Sequence, residues 1–262
     1  MSAVAASSAL FARDLRAVIR SRSQLYSSIF TPLLILVLLG NGVSEGLSPS
    51  KLSAGSFTAY LVAGVVVMTS VFSSTFSSAS YYRDRDSGVM RMLLSSPHSP
   101  RVILLGKSLA GVFIGMVQAL VVLLVAAPFV DFEWQYGILQ GIIVAIIVII
   151  LLNVMLTGLA QALASRIKTM QGFHLIMNLA LFPLLFFSGA FFPVANLPTW
   201  LELLARINPL SYAVDALELL TYADGTAGYF GLGIDMTVLI VLSVAVYILG
   251  LARTPSLTYS GD

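Results

Sequence analysis

The sequence predicts an all-α integral membrane protein, with the whole chain, residues 1–262, forming a single transmembrane domain. Three observations predict it. Hydrophobic residues make up 58% of the chain and charged residues only 10%, against about 25% charged in a soluble domain, and the mean hydropathy is +0.95. Six apolar runs, residues 24–42, 57–80, 108–129, 137–164, 173–192 and 230–251, approach the length of about 20 residues that a helix needs to cross a bilayer. Finally, twelve of the fourteen Lys and Arg residues fall on one side of those runs.

The chain opens with a candidate interfacial helix at residues 6–23. Phe11, Leu15 and Val18 share one helical face and Arg13, Arg16 and Arg20 the opposite one, the pattern of a helix lying on a membrane surface or of a basic flank to the first span. Arg13 comes too early for a signal peptide, and no small-residue cleavage pattern follows the first span, so none is expected. That span carries Pro32, tolerated in membrane helices where neighbours satisfy the freed carbonyl.

The second span is rich in hydroxyls: Thr69, Ser70, Ser73, Ser74, Thr75, Ser77 and Ser78. Small residues let helices pack closely, and they equally suit a polar conduit. The same two readings stand for Gln118 in the third span, Asn153, Thr157 and Gln161 on one face of the fourth, and Asn178 in the fifth. Ser73, Ser77, Gln118, Asn153, Thr157 and Asn178 are the candidate conduit lining. Gly111 with Gly115, and Gly137 with Gly141, form small-residue pairs suited to close helix contact.

Residues 81–107 form a charged, helix-prone island between the second and third spans. A simple turn takes about 4–6 residues, so a patterned loop of this length suits a docking surface for a separate protein. At the other end of the chain, the stretch from Phe186 to Tyr212 is too apolar for a free loop and too interrupted to span. Pro198 suits a first helical turn and Asn208-Pro209 an N-cap followed by the first helical residue, predicting two short helices, residues 197–221, that dip back into the membrane before the last span. Trp200, Tyr212, Tyr222 and Tyr229 fit an interfacial aromatic belt.

Arg13, Arg16, Arg20 and Arg22 precede the first span; Arg83, Arg85, Arg91, Arg101 and Lys107 occupy the second loop; Arg166 and Lys168 the fourth; Arg253 the tail. Only Lys51 and Arg206 lie opposite. The positive-inside rule then puts both termini in the cytoplasm.

Several chemistries are excluded or disfavoured. Without cysteine there is no disulfide or thiolate site. Gly106-Lys107-Ser108 imitates a phosphate-binding loop, but Arg101 stands where the pattern needs glycine. His98 and His174 are too far apart to suggest a metal site. No nucleophile–base constellation is seen, so no catalytic residue, metal or cofactor is expected in this chain. No strongly apolar span has an acid near its centre, Asp235 lying near the outer end of the sixth, which weighs against an ion-coupled carrier.

Two motifs resemble those of ABC-2-type transporter permeases, the group of daunorubicin-resistance-like exporter membrane subunits. The first is carried by Asp84, Arg85, Asp86, Gly88, Leu93, Leu94, Ser96, Pro97, Gly106 and Lys107, with Arg91 departing from a usual glutamate. The second is carried by Ser188, Gly189, Phe192, Pro193, Leu197, Pro198, Asn208, Pro209, Leu210, Ser211 and Tyr212. The arginine usual soon afterwards is absent, and Glu218 stands near its place. Ser188, Gly189, Pro193, Pro198, Asn208, Pro209 and Tyr212 mark the outer re-entrant motif.

The resemblance implies a cytoplasmic coupling helix at about residues 84–97 that enters a cleft of a separate ATP-hydrolysing subunit. Arg83, Asp84, Arg85, Asp86, Gly88, Met90, Arg91, Leu93, Leu94 and Pro97 would form it, with Met90, Leu93 and Leu94 as its apolar face and a smaller contact around residues 166–171. It implies two ATP-binding subunits holding ATP and Mg, a second permease copy or paralogue, membrane lipids as surroundings, no nucleic acid, and a bacterial-type cell (inner) membrane. The implied function is ATP-driven export of an amphipathic drug, antibiotic, lipid or glycolipid. Polysaccharide export is the alternative within transport, and an ATP-independent channel or carrier the alternative outside it.

Overall fold

The structure, a computed structural model, describes residues 3–46, 54–130, 137–194, 198–221 and 229–252. Ten α-helices lie among the described residues, with no strand: α1 (Ala3–Arg20), α2 (Arg22–Gly46), α3 (Ala54–Asp86), α4 (Val89–Leu94), α5 (Pro100–Ala126), α6 (Ile138–Ala164), α7 (Met170–Phe186), α8 (Thr199–Ile207), α9 (Pro209–Thr221) and α10 (Leu232–Ala252). Leu197 and Tyr222, with Lys51, Asp131, Glu133, Asp224 and Arg253, lie outside the described residues.

Five helices are long and apolar enough to cross a membrane, namely α2 over Arg22–Gly40, α3, α5, α6 and α10, and α7 is a shorter apolar helix of 17 residues. The fifth predicted span, 173–192, therefore ends as a helix six residues early. Pro183 lies in its last turn, and Gly189 takes φ +90°, a conformation that favours glycine. The Ser188 hydroxyl then turns back to the Leu185 carbonyl, 2.7 Å away. The third span begins earlier than the hydropathy suggested, at Pro100, where Ser99 is extended and proline occupies the first helical position.

α3 is the most buried of the long helices and packs on α2, α5, α6, α7 and α9. Five of the seven hydroxyls at residues 69–78 bond carbonyls of their own helix: Thr69 to Val65, Ser70 to Val66, Ser74 and Thr75 to Val71, and Ser78 to Ser74. They present a small, internally satisfied surface to the neighbours. Among the glycines, Gly111 and Gly115 of α5 do face α3 and α6. Gly137 does not pack as predicted: it precedes α6 at φ +83° with open space around it. α10 crosses α6 at Gly158 and Gly250 instead, where a Cβ on either glycine would meet opposing backbone at 2.6 Å, and Ser243 Oγ bonds the Leu151 carbonyl at 2.7 Å.

The bundle has two unlike ends. The C-terminal ends of α3 and α6, the N-terminal end of α5, and α1 gather at a basic end. The N-terminal ends of α3 and α10 meet α9 at an acidic end.

Candidate functional site

The helix of the second span runs without a break into the charged island. α3 continues through Arg83, Asp84, Arg85 and Asp86, and stops where Gly88 takes φ +77°. That left-handed residue ends one helix and starts the next. The predicted helix over 84–97 is thus divided: residues 84–86 end α3, α4 is a six-residue helix, and Ser95–Ser99 form a turn into α5. Ser95 and Ser96 hydroxyls close that turn on the Met92 and Leu93 carbonyls, at 3.0 and 2.6 Å.

Arg83, Arg85, Asp86, Arg91 and Pro97 are exposed, whereas Gly88, Leu93 and Leu94 are half-buried. Met90 departs from its predicted place on the outward apolar face. It is 6% exposed and belongs to the chain's own core, and Leu94 packs against that core. The apolar side chain that α4 presents outward is Met92, 67% exposed. A short helix at 3.6 residues per turn cannot turn Met90, Leu93 and Leu94 away from the bundle while its connections hold it against α3. Arg85 Nη1 donates to the Lys168 carbonyl at 3.3 Å, and Tyr82 Oη to the Ile167 carbonyl at 3.3 Å. The loop and the α6–α7 turn therefore form one continuous surface.

Asp84 points the other way, into the bundle. It accepts from Lys107 Nζ at 2.5 Å and from Arg13 Nη2. Lys107 Nζ also donates to Asp14 Oδ2 at 3.0 Å, Arg13 Nη2 to Asp14 Oδ1 at 2.8 Å, and Ser80 Oγ to Asp14 Oδ2 at 3.2 Å. Two cations and two anions from α1, α3 and α5 thus close a network whose Lys107 side chain is only 5% exposed. Burial alone would raise the Asp14 carboxyl, but the Lys107 charge and the Lys107 and Arg13 hydrogen bonds outweigh it and hold the carboxyl below its ordinary range.

Gly106 explains how α1 comes so near. A Cβ there would meet the Ser7 carbonyl oxygen at 2.7 Å. Phe11 meets Phe113 edge to face at 5.6 Å between ring centres. A cleft of about 40 Å³ adjoins the network, lined by Ser77, Ser80, Lys107, Ser108, Thr157 and Gln161 among others, enough for one or a few waters.

The network was only half visible in the sequence. Asp84 and Lys107 belong to the loop motif, but Asp14 was not singled out and Arg13 was assigned to lipid. The overlooked signal is a lone acid on an arginine-rich helix, lying with Leu10 and Val18 at i, i+4, i+8; these three form the buried stripe, with Phe11 and Leu15 flanking it.

Among the candidate conduit residues, Ser73, Gln118, Asn153 and Thr157 are buried and Ser77 is half-buried, in one seam between α3, α5 and α6. Asn153 Nδ2 donates to Ser70 Oγ at 3.1 Å and to the Ile149 carbonyl at 2.8 Å. Its other amide atom occupies the space that the missing side chain of Gly115 leaves. Asn178 is exposed on α7, away from the seam.

At the acidic end, Asn208 ends α8 and starts α9. Its Oδ1 accepts the Leu210 N–H at 3.0 Å, Pro209 opens α9, and its Nδ2 reaches the Leu184 carbonyl of α7. Pro198 stands just before α8 rather than within its first turn. Tyr212 Oη bonds the Arg206 carbonyl at 2.6 Å, and Tyr60 Oη bonds that of Gly189. Ser188 and Gly189 form the turn after α7, with Pro193 following it.

The fold and loop together define a multi-pass membrane protein of the transport-permease class. The chain belongs to the ABC-2 type transporter family, whose model matches residues 6–222. It is 28% identical over 222 residues to the putative transport permease ycf38 of Pyropia yezoensis, covering 81% of this chain and 72% of that one. It is 28% identical over 200 residues to nodulation protein J of Rhizobium meliloti (strain 1021), covering 70% and 69%. It is 24% identical over 164 residues to the probable multidrug ABC transporter permease YbhR of Escherichia coli (strain K12), covering 62% and 43%. The family implies partnership with an ABC ATP-binding subunit.

Proposed function

We propose that this chain is the non-enzymatic membrane half of an ATP-driven exporter for an amphipathic drug or lipid-like compound, and that the 83–97 loop is where an ATP-hydrolysing subunit pushes. One observation carries this reading. Asp84, at the root of the loop, is bonded to both α1 and α5 through Arg13 and Lys107, so displacement of the loop acts on three helices at once. Exposed Arg83, Arg85, Asp86, Arg91 and Met92 give it a charged rim around one apolar side chain. The basic end would face the cytoplasm, with both termini there, in a bacterial-type inner membrane. Two such chains would pair through the exposed apolar helix faces, each with its own ATP-binding subunit carrying ATP and Mg. The name of the Escherichia coli relative, a probable multidrug ABC transporter permease, favours a drug-like cargo.

The test is co-purification of the tagged full-length chain from native membranes, with vanadate-sensitive ATPase assayed beside a Met92→Asp variant. Met92 is the better site because Leu94 contributes to the chain's own packing. An ATPase that accompanies the wild type and is lost from a stably folded Met92→Asp variant supports the reading. No ATPase with the wild type from intact membranes would favour an ATP-independent channel or carrier.

A further inference from the structure

Three carboxyl groups meet at the acidic end with no cation among the described residues beside them. Asp215 and Glu218 are one turn apart on α9, and Asp235 comes from the first turn of α10; they are 6%, 8% and 0% exposed. Asp215 is occupied as an acceptor. Its oxygens take the backbone N–H groups of Tyr229 at 2.6 Å, Phe230 at 2.9 Å and Gly231 at 3.4 Å, where the chain enters α10. By contrast, both oxygens of Asp235 and Oε1 of Glu218 accept no hydrogen bond from the described residues.

Among the described residues, the surrounding elements supply no counter-charge. α3 contributes Tyr60, and α9 itself Tyr212. α6 has no titratable residue along its length, and the one such residue of α7, His174, is in its first turns, toward the basic end. α8 offers Glu202 and Arg206, which pair with each other at 2.7 Å and with Tyr229. The remaining titratable group of α10, Tyr247, bonds Ser108 instead.

Hydrogen-bond direction decides the protonation. The single Tyr60 proton goes to the Gly189 carbonyl, so toward Glu218, with which it interacts, the phenol oxygen offers only lone pairs. A carboxylate there would face another acceptor, whereas a carboxylic acid would donate. Asp235, buried with both oxygens unpartnered, interacts with the neighbouring Asp215, and two such close carboxyls are satisfied by one shared proton.

We propose that this cluster is a proton-binding site, in which Glu218 holds one proton donated to Tyr60 and Asp235 a second donated to Asp215. Burial first, and then the Asp215 charge, push the Glu218 carboxyl well above the ordinary carboxylate range. The protons hold together α3, the turn after α7, α9 and the entrance to α10. Any movement that admits water favours their release, so acid closes this end of the bundle and alkali loosens it. The site stands whether or not the chain couples to an ATPase.

Infrared spectroscopy of the full-length chain in phospholipid nanodiscs tests it directly. At neutral pH the wild type is expected to show the carbonyl stretch of buried protonated carboxyls, with Glu218→Gln and Asp235→Asn each removing one component. Tyr60→Phe keeps both acids and removes the acceptor oxygen, together with the bond to the Gly189 carbonyl, so it should shift the Glu218 component without abolishing it, which keeps the test open if an acid variant fails to fold. Raising the pH from about 5 to about 9 should lower the wild-type thermal midpoint and do so less in Glu218→Gln. A neutral-pH spectrum without protonated carboxyls, or a band that all three substitutions leave unchanged, overturns the proposal.

Discussion

The two ends of the bundle bury charge in opposite ways. At the basic end, Arg13 and Lys107 face Asp14 and Asp84, and four side chains compensate one another. At the acidic end, Asp215, Glu218 and Asp235 have no cation beside them among the described residues, and protons take the place of counter-ions. The contrast teaches that pH should act on the two ends with opposite sign. Acid removes the charge from Asp14 and opens the joint between α1, α3 and α5, while alkali removes the protons and opens the contact between α3, α9 and α10.

The largest way to break this comparison is Lys107→Met. It leaves Asp14 and Asp84 buried with only the half-exposed Arg13 between them, and loss of one partner of a buried ion network costs about 3–5 kcal/mol. The thermal midpoint of the purified chain should fall steeply, and α1 should become open to proteolysis. A midpoint within error of wild type would mean that α1 is held by its apolar face alone.

Next in size is Gly106→Val. The added side chain meets the Ser7 backbone rather than a flexible side-chain tip, and overpacking of this kind costs about 1–3 kcal/mol. It should release α1 while leaving the charges intact, separating close approach from ion pairing. Equal proteolytic protection of α1 in the variant and the wild type would show that α1 shifts sideways at little cost.

The acid limb of the pH profile is smaller and sharpens the sign. The Asp14 carboxyl is held below its ordinary range by Lys107 and Arg13, burial opposing them. The folded state therefore binds this proton less readily than the unfolded chain. The contribution is complete above the unfolded carboxylate value and is lost as pH falls through the folded one. Asp14→Asn should flatten the acid side of a thermal-midpoint profile and leave the alkaline side unchanged, whereas Glu218→Gln should do the reverse. Loss of both limbs in one variant would join the two ends into one titrating unit.

How far the sequence discloses this depends on whether a feature is local. Apolar runs and the Asn208-Pro209 boundary are read from neighbouring residues, and those helices form, the fifth ending early; the loop motif forms as a helix end, a six-residue helix and a turn. The start of α5 was hidden because Arg101 and Lys107 interrupt the apolar run, although a helix tolerates a lysine whose head reaches two carboxylates. The Asp14–Lys107 pair spans 93 positions, beyond any local pattern. Nothing in the spacing of Asp215, Glu218 and Asp235 says that they meet, because it does not show that α9 packs against α3 and α10. The resemblance puts Met90 on an outward apolar face, while the connection through Gly88 turns it inward.

The smallest expected effect is at Glu202→Gln, and its smallness is informative. Glu202 and Arg206 form the i, i+4 pair of α8 at 2.7 Å, with Tyr229 joining it. The Arg206 side chain is 55% exposed, and water screens such a pair and competes for its hydrogen bonds. The substitution should leave the thermal midpoint and its pH dependence where they were. It also tests whether Arg206 is as detached from the carboxyl cluster as the geometry places it. Freed from Glu202, an arginine able to reach Asp215 would supply the missing counter-charge, and the alkaline limb of the profile would flatten. An unaltered alkaline limb leaves protons as the only compensation that the acidic end has among the described residues.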